Sequence, residues 1–228
     1  NSFLRREVVG RGGFVLSHTG PLFSALGMLD DRIDGYVSGE GERGLLVRSR
    51  LDHDYYSMAC ICPGTMWTAA FPEYSEERMI PFLAATGQSP HSTLGVQFPS
   101  SSLAHPPQPG LNDVNFRPLW KLWNLFRNER DLFIYNDYNS RGIFPVSETV
   151  GHYLMVSKDA ARAVLIFANF TDAEIEVSSA AAWEKTEFGA LSGAETWLCR
   201  PDVKTPGKPE RFAAGDSFRL CPYGVASL

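Results

Sequence analysis

Between residue 132 and the C-terminus the chain alternates short apolar runs with clusters of turn-forming residues, and that punctuation limits the fold more than any other feature. The runs fall at residues 132–135, 151–156, 163–168, 174–177, 196–199 and 217–220. Asn136-Asp137-Tyr138-Asn139, Ser157-Lys158-Asp159, Asn169-Phe170-Thr171-Asp172 and Pro206-Gly207-Lys208-Pro209 lie between them. Asn, Asp and Ser satisfy their own backbone in turns, and Gly and Pro supply φ angles that strands avoid. Short strands spaced in this way predict an antiparallel β-sandwich.

The first half has a different rhythm. A short apolar run at 13–16 is stopped by Ser17-His18-Thr19-Gly20. Pro21 then opens a predicted helix over 21–29, with Leu22, Phe23, Leu26 and Leu29 at helical spacing. A second strand is predicted at 33–37 and ends at Ser38-Gly39-Glu40-Gly41-Glu42. Strand, polar loop, helix, strand is the pattern of βα units. Further on, an apolar run at 56–62 breaks at Pro63-Gly64, and another begins at Met66. A helix is predicted over 75–85 and a strand over 94–98, followed by a Pro- and Ser-rich loop over 99–110. A last helix is predicted over 116–127, where Phe116, Leu119, Trp120, Trp123 and Phe126 recur every three or four residues. The two regimes join near residues 127–132. The expectation is therefore α/β plus all-β: β/α units over 1–127 and a β-sandwich over 128–228.

Composition narrows the partners. With 44% hydrophobic and 21% charged residues the chain can bury a core. Its net charge of -5 argues against nucleic acid or an anionic membrane as the main partner, since both need a basic footprint. No apolar run approaches the ~20 residues that span a bilayer. The 4 cysteines are too few for a disulfide scaffold. Cys60 and Cys62 would share one face of a strand and, with His53 and Asp54, offer a metal-dependent hydrolase as one reading; buried small hydrophobes are the other. No cofactor is expected.

The sharpest chemical feature is the pair Glu40 and Glu42, flanked by glycines directly after a predicted strand. Acid–base cleavage of a glycosidic bond needs carboxylates held where a sugar ring can approach, and glycines leave that room. A solvated polar turn is the competing reading. His18 holds the matching position after the preceding strand, and Asp34 lies in the same strand as Val37. Both would be substrate contacts. Trp67 and Tyr74 offer rings on which a sugar could stack, although core packing accounts equally well for either. The chain has no Gly-x-Ser-x-Gly elbow, and Gly10-Arg11-Gly12-Gly13 precedes a strand instead of opening a helix, so it is no phosphate cradle.

Two segments of the second half carry a family resemblance. Residues 163–177, a strand followed by Asn-Phe-Thr-Asp and another strand, resemble a hairpin of the C-terminal β-sandwich domains of glycoside hydrolases. Residues 218–228, with Pro222-Tyr223-Gly224 before a final apolar strand, resemble the closing strand of those domains. The stretch 33–42 is similar to late barrel strands of glycoside-hydrolase-like families near the α-galactosidase-type barrels. The resemblance implies the last units of a TIM-type (β/α) barrel with an appended sandwich, and hydrolysis of O-glycosidic bonds by Glu40 or Glu42. A complete barrel takes ~250 residues, so the remainder would come from a longer polypeptide or a partner subunit. The lack of an initiator Met at Asn1 fits that expectation. A non-catalytic carbohydrate-binding or structural module is the alternative.

Overall fold

A computed structural model describes residues 2–13, 16–17, 35–38, 65–68, 76–87, 89–90, 126, 132–140, 142–145, 147–185, 189–199 and 208–228. The chain divides into two compact units, one formed by residues 1–76 and 87–113, the other by 77–86 and 114–228. Antiparallel sheets dominate the described residues and helices are few.

In the first unit, helix α1 spans Ser2–Val9. It ends in a glycine-rich turn in which Gly10 N–H bonds Arg6 O and Gly13 N–H bonds Val8 O. The sequence reading placed no helix there. Four strands follow: β1 (Leu16–Ser17), β2 (Gly35–Ser38), β3 (Thr65–Thr68) and β4 (Ser89–Pro90). They form one sheet in chain order, and every neighbouring pair is parallel. Parallel neighbours cannot be joined by a tight turn, so each pair needs a crossover connection. Strand β2 overlaps the predicted 33–37 over its described residues, with Gly35 in register with Leu16 and Thr65. Strand β4 carries Pro90 and, among the described residues, pairs with β3 alone, an edge position at which a missing N–H is tolerated. These strands make a parallel sheet; a TIM-type barrel is not shown by them. The predicted helix at 21–29 and strand at 94–98 lie outside the described residues, as does the predicted helix at 116–127 apart from Phe126.

Helix α2 (Glu76–Thr86) agrees with the predicted 75–85. Its last turn is buried from Phe82 to Thr86, and Thr86 Oγ1 donates to Phe82 O at 2.8 Å. Gly87 at φ +69° ends it in the left-handed conformation usual after a helix.

The second unit is built from two antiparallel layers. The larger has the order β12-β7-β6-β5, with β5 at Leu132–Asn136, β6 at Val150–Ser157, β7 at Ala163–Asn169 and β12 at Val225–Ser227. Strand β9 (Thr196–Leu198), paired with β10 (Glu210–Phe212), joins this layer through reciprocal 2.8 Å bonds between Cys199 and Ser227. The smaller layer is the pair β8 (Ile175–Ser178) and β11 (Ser217–Leu220). The side-chain period of a strand is two, so each inner face supplies alternate residues to the core. Leu154, Val156, Leu165 and Phe167 from one layer meet Val177, Phe218 and Leu220 from the other in a single apolar cluster.

Strand β6 is buried along its whole length, on both faces. Gly151 explains how its outer face is covered. A Cβ there would lie 2.6 Å from Ala85 Cβ and 2.5 Å from the Phe170 ring, so only glycine lets α2 and Phe170 close over the strand. The hairpin from β7 to β8 is held by Asn169, which is fully buried. Its Nδ2 donates to Ala173 O and Cys221 O, both at 2.8 Å, while its Oδ1 accepts from Thr171 N–H and Thr171 Oγ1. All the hydrogen-bonding capacity of the amide is used. The Asn-Phe-Thr-Asp motif is therefore a structural knot that ties this turn to the loop after β11.

Candidate functional site

The parallel sheet of the first unit determines where strand ends lie. Because β1, β2, β3 and β4 run the same way, Ser17, Ser38, Thr68 and Pro90 end at one edge. In the sequence His18 directly follows Ser17, and Glu40 comes two residues after Ser38. His18, Asp34, Glu40, Glu42 and Tyr74 themselves lie outside the described residues. Trp67 belongs to β3, in register with Val37 of β2 and Ser89 of β4.

A second group was not foreseen from sequence. His152 of β6 and Asp137, in the turn after β5, form a buried pair with Nδ1 2.8 Å from Oδ1. Asp137 Oδ2 also accepts the backbone N–H of His152 at 3.1 Å. The two side chains are 3% and 0% exposed. Phe144 stacks on the imidazole at 4.6 Å and Phe167 meets it edge-on at 5.3 Å. The ring series continues from Phe167 to Phe218 at 5.2 Å and on to Phe212 at 5.8 Å. A carboxylate that orients an imidazole is a catalytic arrangement only where substrate can reach it. Here aromatic rings enclose the pair, and it pins the β5–β6 turn to the core. Its sequence signal was a polar residue on the inward-facing register of an apolar strand.

The third feature is a cleft of about 480 Å³ in the second unit. The start of β7 and the end of β12 form its floor, where Leu165 and Leu228 exchange 2.8 Å backbone hydrogen bonds. One wall comes from the 3₁₀ turns Trp183–Lys185 and Gly189–Gly193, which present Trp183 and Leu191. Strand β9 supplies the other with Trp197, which is 49% exposed. Arg162 and Glu195 add one charge of each sign. The Arg162 guanidinium lies 5.4 Å from the centre of the Phe126 ring, and Glu195 pairs with Arg211 at 3.3 Å. No sequence pattern marked this cleft, because its walls are far apart along the chain.

Among the described residues no three His, Cys, Asp or Glu side chains gather as metal ligands would. His53, Asp54, Cys60 and Cys62 lie outside those residues. Cys221 is a free thiol. No described helix is long and apolar enough to cross a membrane.

No protein-family model matches the chain, and no curated protein matches it either. Among solved structures it is similar to the crystal structure of AmyP in complex with maltose, at 10% sequence identity and a TM-score of 0.45. The overlap covers 86% of this chain and 50% of AmyP, so the chain spans about half the length of that structure. A superposition at this level falls short of a common fold.

Proposed function

We propose that the chain is the C-terminal portion of a glycoside hydrolase, with residues 1–127 forming late β/α units of a barrel and 128–228 a C-terminal β-sandwich domain. The observation that carries this reading is the parallel order of β1 to β4, which brings successive strand ends to one edge. In open and closed parallel α/β sheets alike, ligands are held at the C-terminal ends of the strands. Glu40 and Glu42 follow one such end and His18 follows its neighbour.

In this reading one glutamate of the pair is the general acid/base. It protonates the leaving glycosidic oxygen while the second carboxylate of the site stabilises or attacks the anomeric carbon; water then adds to that carbon and gives its proton to a carboxylate of the site. His18 and Asp34 hold sugar hydroxyls, and Trp67 or Tyr74 stacks on the ring's C–H face. The remaining strands of the barrel come from a longer polypeptide or a partner subunit. The test is the double substitution Glu40→Gln with Glu42→Gln in the full-length protein, assayed by release of reducing ends. Turnover should fall at least about a thousandfold, in line with loss of positioned acid–base catalysis, while the circular dichroism spectrum is retained. Undiminished cleavage by the folded variant removes both glutamates from the chemistry.

A further inference from the structure

We infer that Asn169 is an acceptor for an N-linked glycan that folding closes: the unfolded chain offers it, the folded second unit withholds it, and a glycan there excludes the native unit. Asn169-Phe170-Thr171 is the one Asn-x-Ser/Thr triplet in the chain. Such triplets are acceptors for transfer from a polyprenyl-diphosphate-linked oligosaccharide, and they are used on surface loops. The new bond joins the asparagine Nδ2 to the anomeric carbon of the sugar. Nδ2 loses one proton, the polyprenyl diphosphate leaves with the electron pair of its own bond to that carbon, and nothing is oxidised or reduced.

In the folded unit this triplet starts at the end of β7, and each of its residues is engaged. Asn169 Nδ2 directs its two hydrogens at Ala173 O and Cys221 O, each 2.8 Å away, so neither can be replaced. An anomeric carbon in place of either hydrogen, on a single C–N bond of about 1.45 Å, would lie roughly 1.4 Å from that carbonyl oxygen. Asn169 is also 0% exposed, which leaves no path outward for a sugar. The backbone is held as closely. Asn169 N–H bonds Gly224 O, Phe170 N–H bonds Thr149 O, and Tyr223 N–H bonds Thr171 O, all at 2.9 Å. Thr171 Oγ1 lies 2.8 Å from Asn169 Oδ1 and 3.2 Å from Ala173 O. Cys221 is 52 residues from Asn169 in sequence, so the second acceptor of the amide arrives only when the loop after β11 docks. Until then the triplet is a short polar turn that a transferase can enter.

The experiment incubates a purified oligosaccharyltransferase and a polyprenyl-diphosphate-linked oligosaccharide with the intact folded chain and, in parallel, with a peptide of residues 163–177. Mass spectrometry follows the adduct at Asn169. The peptide should be modified, and the intact chain at least about a hundredfold more slowly, because attack on a buried group tracks the population of the open form. Asp137→Ala leaves the triplet unaltered and removes the buried partner of His152, so it should speed modification of the intact chain by about tenfold or more. A chain that carries the glycan should not regain the wild-type unfolding midpoint. Refusal of the peptide by the enzyme overturns the inference. So does an intact chain modified as fast as the peptide, a rate unchanged by Asp137→Ala, or a glycan-bearing chain that melts with the wild type. None of these outcomes bears on Glu40 and Glu42, whose assay reads reducing ends.

Discussion

The two units are both made of strands, yet they are held together in different ways. In the first, the described strands are two to four residues long and pair with parallel neighbours, and residues 18–34, 39–64 and 69–88 lie between them in sequence. In the second, β5, β6 and β7 form an antiparallel meander with registers of five and seven residue pairs. Buried polar knots at Asn169 and at Asp137–His152 reinforce it. An antiparallel pair closes through a tight turn and gains its hydrogen bonds from residues near in sequence, whereas a parallel pair must first close a long loop. The second unit therefore carries its own stability in local pairings.

The sharpest way to break this contrast is Asp137→Ala. The substitution leaves His152 enclosed by Phe144 and Phe167 with no carboxylate to orient it. Two hydrogen bonds to one buried carboxylate are lost together, and at about 1.5–3 kcal/mol each the cost is about 3–5 kcal/mol. The expected result is a large drop in the melting temperature of the second unit, with the parallel unit's transition unmoved in a calorimetric scan. If one cooperative transition shifts as a whole, the two units are not energetically separate.

Asn169→Ala should have the next largest effect, about 2–3 kcal/mol, because the fully buried amide is lost and Ala173 O and Cys221 O lose a donor together. Asn169→Asp sharpens the reading. It keeps the acceptor for Thr171 but not the donors, and should be about as destabilising as alanine if the donors carry the knot. Denaturant midpoints distinguish the cases: an aspartate variant as stable as wild type would assign the knot to the Thr171 contacts alone.

The same contrast decides what could be read from sequence. Strand β11 coincides with the predicted 217–220, and its burial alternates along Ser217, Phe218, Arg219 and Leu220 as a two-residue period requires. Strands β5 to β9 fall within a residue or two of their predicted spans, because turn clusters bracket them on both sides. Strand β10 went unread because Glu210 and Arg211 are exposed on a sheet edge and carry no apolar period. Strand β4 went unread because it is two residues long and contains Pro90. The Asp137–His152 pair joins residues fifteen apart, and only the β5–β6 register brings them together. Register is a property of pairing, not of either strand's composition. The cleft escaped for the same reason: its lining comes from segments that only tertiary packing brings together. The Glu40–Glu42 pair rests on sequence and on the direction of β2 alone.

The smallest effect concerns the β6–β7 turn, where Asp159 holds the hairpin closed. Its Oδ1 accepts from Ser157 Oγ at 2.7 Å and from Ala161 N–H at 3.1 Å, and Ala160 takes a positive φ of 53° to make the turn. The Ser157 hydroxyl first, then the Ala161 N–H, favours the ionised carboxylate and holds its pKa below the ordinary 3.8. A depressed folded-state pKa means that the carboxylate's stabilising contribution is complete above 3.8 and disappears as pH falls through the lower folded value. Asp159 is fully exposed, so solvent keeps the effect small. Ser157→Ala should move the carboxyl titration of Asp159, followed by NMR, back up toward 3.8 and flatten the acid limb of the second unit's stability curve. An Asp159 that titrates at the same pH in both proteins would show that the local turn chemistry is not what closes this hairpin, and would leave the buried knots as the only reinforcement that separates the antiparallel unit from the parallel one.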